Sequence, residues 1–142
     1  MNKGVSFLLD TSVYSQPIKN VPVPSVIARW KSHGEREYAV SALCELEVLF
    51  GIARSQSPRL RKAYEEILVG RFPVIPFDRR CALVYAELQA GFEKEGRPRP
   101  AFDLMIAATA LVHDLELATL NVSDFQGISG LRIADWGLPP QS

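Results

Sequence analysis

The chain has 142 residues, 47% of them hydrophobic and 23% charged, with 16 basic and 16 acidic side chains that cancel to no net charge. That length supports one domain with a substantial core, and the balance excludes a disordered or coiled-coil chain. It also excludes binding of nucleic acid through overall charge, leaving that task to local basic clusters: Arg79-Arg80, Arg97 with Arg99, and the Arg54 to Lys62 region. No apolar stretch approaches the roughly 20 residues of a membrane span. Asp10 interrupts the N-terminal apolar run short of signal-peptide length, so the cytoplasm is the expected compartment. Cys44 and Cys81 sit in helix-like apolar patterns without CxxC or Cys/His spacing, which reads as buried, reduced packing and not as a zinc site.

In chain order, Val5 to Leu9 is a short apolar run with Ser6 as its only polar member, the pattern of a central parallel strand. It stops at Asp10, followed by Thr11 and Ser12 in a turn that opens toward a helix. Ser25 to Lys31 follows as a helix with Ser25 as its cap, ended by His33-Gly34, and Tyr38 to Ser41 is a second strand. Ser41 caps a helix to about Arg54, with Leu43, Leu46, Leu49, Phe50 and Ala53 supplying most of its apolar face. Ser57-Pro58 opens another helix that runs to Gly70.

The proline-flanked run Phe72 to Phe77 suits a third strand near an edge, and Asp78 starts a long helix to about Glu95, closed by Gly96. The stiff Arg97-Pro-Arg-Pro100 link precedes the most apolar helix, Ala101 to about His113. Glu116 to Thr119 and Leu131 to Ala134 are the fourth and fifth strands, and residues 136–142 form a fraying tail with two prolines. Strands alternating with helices imply one α/β domain with a mostly parallel sheet covered on both faces.

The acids carry the chemistry. Ligands in open α/β sheets bind beyond the carboxyl ends of the strands, where Asp10 lies, although capping of the next helix is a competing role for it. Asp103 lies in the first turn of a helix that is apolar on every side, where a charge is costly unless it is paired or binds a metal; favourable placement near a helix N-terminus is the simpler alternative. Glu45 and Glu47 point to nearly opposite sides of their helix, so at most one can join Asp10, and periodicity does not choose between them. Gly51, four residues after Glu47, would allow close approach of another chain and leans weakly toward Glu47. Thr119, Asn121, Ser123 and Asp124 follow strand four; if strands one and four are neighbours, Asp124 or Asn121 comes next to Asp10. Carboxylates converging without a cation repel, and an all-oxygen set favours Mg²⁺ or Mn²⁺ over zinc. The chemistry implied is metal-dependent phosphodiester hydrolysis.

Four segments in order resemble the PIN domain, and within it the VapC-type ribonuclease toxins of type II toxin–antitoxin pairs: Leu8-Leu-Asp-Thr-Ser-Val13, Val40 to Ile52, Asp103 to Leu111, and Thr119 to Phe125. The resemblance covers nearly the whole chain and implies a PIN-like three-layer sandwich around a sheet of four to five strands. It selects Glu47 over Glu45, and implies an acidic site of Asp10, Glu47, Asp103 and Asp124, with Asp10, Asp103 and Asp124 on Mg²⁺ or a substituting Mn²⁺. Thr11, Ser12, Thr119 and Asn121 would support it. Ser12 departs from the asparagine usual in the family; its hydroxyl is shorter and cannot donate twice. The resemblance further implies an RNA substrate, a homodimer, no membrane partner, and a cognate antitoxin, with exposed apolar residues between Leu43 and Leu68 as the place for partners.

Two other readings compete. A phosphotransferase of the haloacid-dehalogenase type uses the first-strand Asp as nucleophile, but wants a second Asp where Ser12 stands. A non-catalytic α/β interaction module, its acids serving only as caps, predicts no metal-linked rise in stability.

Overall fold

Phe7, Leu8 and Leu9 form the central strand β1 (Phe7–Leu9), and all three are buried. Successive strand residues point to opposite faces, so this run requires cover on both sides of its sheet. The structure, a computed structural model, describes residues 4–140 and supplies that cover. β1 pairs in parallel with β2 (Tyr38–Ser41) on one side and β4 (Glu116–Thr119) on the other. With β3 (Val74–Ile75) and β5 (Ile133–Asp135) at the edges, the sheet is all-parallel in the order β3-β2-β1-β4-β5. The helices are α1 (Thr11–Tyr14), α2 (Pro24–Ser32), α3 (Ala42–Ser55), α4 (Pro58–Ile67), α5 (Arg79–Lys94) and α6 (Ala101–Val112). Among the described residues no helix is long and apolar enough to cross a membrane. Cys44 and Cys81 are both buried and unpaired with each other.

Capping follows the sequence closely. Ser41 accepts from the Leu43 N–H at 3.1 Å, Ser57 from Leu60 at 3.2 Å, and Asp78 from Cys81 at 3.1 Å. Ser25 is the exception. Pro24 already holds the first position of α2, so the cap falls on Val23, and the Ser25 hydroxyl donates to the Trp136 carbonyl at 2.9 Å. The run Phe72 to Phe77 pairs only at Val74–Ile75, because Pro73 and Pro76 bring no N–H to the ladder.

Two expectations are corrected. The buried face of α3 is Cys44, Val48 and Ile52, while Leu46, Leu49 and Phe50 are 57%, 42% and 62% exposed and Ala53 is exposed too. α3 carries two apolar stripes, and periodicity cannot say which one meets the core. Nor does the tail fray from residue 136. Trp136 is fully buried, with its ring edge-on to Phe7 and Tyr38 at centroid distances of 5.9 and 5.6 Å and stacked with His33 at 6.0 Å. Arg29 then donates to the Leu138 and Pro139 carbonyls at 2.7 and 3.2 Å. Burial of one indole outweighs the loosening that two prolines suggest. Gln141 and Ser142, the end of that expected tail, lie outside the described residues.

Trp136→Ala should therefore destabilise the chain by about 3–5 kcal/mol in chemical denaturation, the usual cost of emptying a buried aromatic site. A change within the ordinary range of surface substitutions would contradict this packing.

Candidate active site

β1 and β4 run side by side with Leu9 opposite Ala118, and the Asp10 N–H donates to the Ala118 carbonyl at 2.9 Å. Their carboxyl ends therefore deliver Asp10 and Thr119 to one edge of the sheet. Asp10 occupies the cap position of α1, yet its carboxylate forms no side-chain cap. It accepts instead from Thr119 Oγ1 at 2.8 Å and Ser12 Oγ at 3.1 Å, both on Oδ2. Each hydroxyl is engaged from behind as well: the Leu120 N–H donates to Ser12 Oγ at 3.0 Å, and the Asn121 N–H to Thr119 Oγ1 at 2.9 Å. With its lone pair taken by the backbone, each hydroxyl gives its one hydrogen to Asp10. Ser12 thus bridges the two strand ends despite being shorter than asparagine. Asn121 contributes through its N–H, its side chain being exposed.

Asp10 is buried, and burial raises its carboxyl above the ordinary range against the opposing pull of Thr119, the Thr11 backbone and Ser12; Asp124 adds repulsion. Glu47 joins from α3, where the Thr11 hydroxyl donates to its Oε1. Glu45 points elsewhere and accepts from the Tyr64 hydroxyl of α4 at 3.3 Å. Within the chain nothing approaches Gly51, and a side chain there would meet open space. What separates the two glutamates is a hydroxyl on α1.

Asp103 stands in the first turn of α6, half-buried, and Asp124 is exposed on a 3-10 turn (Val122–Asp124) after β4. The Asp103 carboxyl is pushed up to about 6, first by burial and then by repulsion from Asp124, Asp10 and Glu47, with Arg99 opposing. Each acid named from the sequence therefore acts electrostatically on Asp103. Among the described residues they are not gathered into a preformed cage of three or more ligands; like charges of this kind hold one another off. The donor set still fits a hard divalent cation: it offers only carboxylates, one of them hydrogen-bonded in place and one raised by burial and by the charge of the others. Asp10, Asp103 and Asp124 are the residues that would hold it, with Glu47 beside them. Sequence reasoning left Arg99 in a generic basic cluster. Its signal was its place between two prolines, directly before the helix that carries Asp103.

The PIN domain family model matches residues 7–130. The chain belongs to the PIN domain family. Within it the chain is 33% identical over 132 residues to the tRNA(fMet)-specific endonuclease VapC of Shigella flexneri, covering 93% of this chain and 98% of that one. It is 31% identical to the toxin FitB of Neisseria gonorrhoeae, over 83% of this chain and 89% of that one. Among solved structures, DNA-bound VapBC from Salmonella typhimurium is similar with a TM-score of 0.82 and 29% identity, over 93% of this chain and 98% of that one. This PIN domain thus has VapC proteins among its relatives, and the mostly parallel sheet of four to five strands that the resemblance implies has five strands, all parallel.

Because the Asp103 carboxyl is raised in the folded state, the native chain holds a proton there that the unfolded chain has released between its ordinary 3.8 and about 6. That contribution to stability is complete below the ordinary value and lost as pH rises through about 6. Asp103→Asn should raise the melting temperature of metal-free protein above pH 7 and leave it nearly unchanged at pH 4. Equal effects at both pH values would show that the fold does not raise the Asp103 carboxyl.

Proposed function

We propose that this PIN domain is a Mg²⁺-dependent endoribonuclease, Mn²⁺ substituting, that hydrolyses RNA phosphodiester bonds and acts as a toxin neutralised by a cognate antitoxin. The observation that carries this reading is that Asp103, raised first by burial, also feels the charges of Asp124, Asp10 and Glu47, so the four acids share one electrostatic environment beyond the end of β1. The relatives' names, a tRNA-specific endonuclease and a toxin, support it, as does the likeness to a VapBC structure.

When bound, the divalent ion lowers the pKa of water and supplies counter-charge to the departing oxygen. The chain's residues do the placing. Ser12 and Thr119 hold the Asp10 carboxylate by Oδ2, and Thr11 holds Glu47. A water oriented by these carboxylates adds to phosphorus, the bond to the 3′ oxygen breaks, and the products carry a 5′-phosphate and a 3′-hydroxyl. The raised Asp103 and Asp10 must both give up their protons for this arrangement, so activity falls on acidification.

Transfer RNA is the first substrate to test, since the name of one relative specifies it. Purified protein should cleave it with Mg²⁺ or Mn²⁺, and EDTA should stop cleavage. Asp10→Asn should cost at least the roughly 10–100-fold that loss of even an outer-shell partner costs a metal site. Absence of cleavage together with absence of any Mn²⁺-induced thermal shift would leave a non-catalytic interaction module.

The exposed stripe of α3, Leu46, Leu49 and Phe50, is proposed as the surface on which a second copy of the chain docks. Light scattering of the purified protein should give twice the chain mass. Leu49→Asp with Phe50→Asp should give a folded monomer. A wild-type monomer at micromolar concentration would remove this assignment.

A further inference from the structure

Arg99 lies two residues before the first residue of α6 and four before Asp103, in a link stiffened by Pro98 and Pro100. Its guanidinium does not face solvent freely. Nη1 donates to the Gln126 carbonyl at 2.9 Å, and Nη2 donates to the same carbonyl and lies 3.4 Å from that of Asp124. The guanidinium rests 4.8 Å from the ring centroid of Phe92, itself buried on α5. The loop it grips carries Asp124 and enters the core only through Phe125 and Ile128. The turn that bears one carboxylate is therefore bonded to the segment that launches the helix bearing another. The planar fork of arginine bridges neighbouring carbonyls in a way that a lysine point charge does not.

We propose that Arg99 is a positioning residue for the acidic site, fixing the spacing between Asp103 and Asp124 by tying the 124–126 carbonyls to the start of α6. This rests on the metal-site reading above. Neighbouring Arg97 provides the contrast. Its guanidinium lies 5.9 Å from the same Phe92 ring, but its ion pair, at 3.1 Å, is with Glu95 and not with the loop. Arg99 also opposes the charge of Asp103, which Arg97 does not, so Arg99→Lys, keeping that charge and losing the fork, is the variant that separates the tie from the charge.

The test is direct titration of Mn²⁺ into the full-length, metal-free chain, followed by calorimetry or by the electron paramagnetic resonance of free Mn²⁺. Wild type, Arg97→Ala, Arg99→Ala and Arg99→Lys are compared, with metal-free melting temperatures measured in parallel. Both Arg99 variants should bind Mn²⁺ roughly tenfold more weakly, the scale for losing a residue that orients a ligand. Arg97→Ala should stay within about twofold, and the metal-free melting temperatures should differ little. Unchanged affinity in Arg99→Ala overturns the proposal, because Phe125 and Ile128 then hold the loop unaided. Equal losses in Arg97→Ala and Arg99→Ala with recovery in Arg99→Lys also overturn it, since charge and not geometry would be at work. Failure of wild type to bind Mn²⁺ is a different result: it removes the metal site itself.

Discussion

Two parallel strands that end side by side place their next residues at one spot, and here both strands continue into polar groups. Leu9 opposite Ala118 sets the register, and Asp10 and Thr119 follow from it. The hydrogen bond between them, 2.8 Å long, joins residues 109 positions apart in sequence. Around it the backbone of the β4 loop is locked to Ser12 and Thr119, so the loop that carries Asp124 begins from a fixed point. Any error in the β1–β4 register would move the site as a unit and expose a strand that is buried on both faces.

The same geometry accumulates like charge. Burying Asp10 and half-burying Asp103 within reach of other carboxylates costs stability, visible in their raised carboxyls, which burial drives first and like charge adds to. Hydroxyl donors offset part of that cost at Asp10, where Oδ2 accepts two hydrogen bonds. Asp103 has Arg99 as its opposing charge. A site that stores repulsion in this way favours a ligand of opposite charge, and functional sites are where such strain between carboxylates persists.

Much of this was legible in the sequence because it depends on local rules. Val5 to Leu9, Tyr38 to Ser41 and Glu116 to Thr119 are short apolar runs between turn signals, and Ser41, Ser57 and Asp78 cap the helices their spacing marks. What the residues left open depended on tertiary contacts. Glu45 and Glu47 have equal helical credentials, and only the Thr11 hydroxyl on one side and the Tyr64 hydroxyl on the other distinguish them. The two stripes of α3 are equally apolar, and the sheet decides which is buried. Trp136 reads as part of a loose end because local composition carries no information about Phe7, His33 and Tyr38, far earlier in the chain, whose rings receive it.

For the proposed RNA substrate a neutral chain with an acidic site is at a disadvantage, since the carboxylates repel phosphate as they repel one another. Overall charge offers no remedy, because basic and acidic residues balance at 16 each. The arginines nearest the site do not resolve it either: Arg99 is engaged with loop carbonyls and Arg97 with Glu95. Under the proposed function the counter-charge that admits a phosphodiester would come from a divalent cation held by Asp10, Asp103 and Asp124. In the proposed metal site the cation would then serve substrate binding as well as cleavage, and Ser12, Thr119 and Thr11 would serve both by holding Asp10 and Glu47 in place.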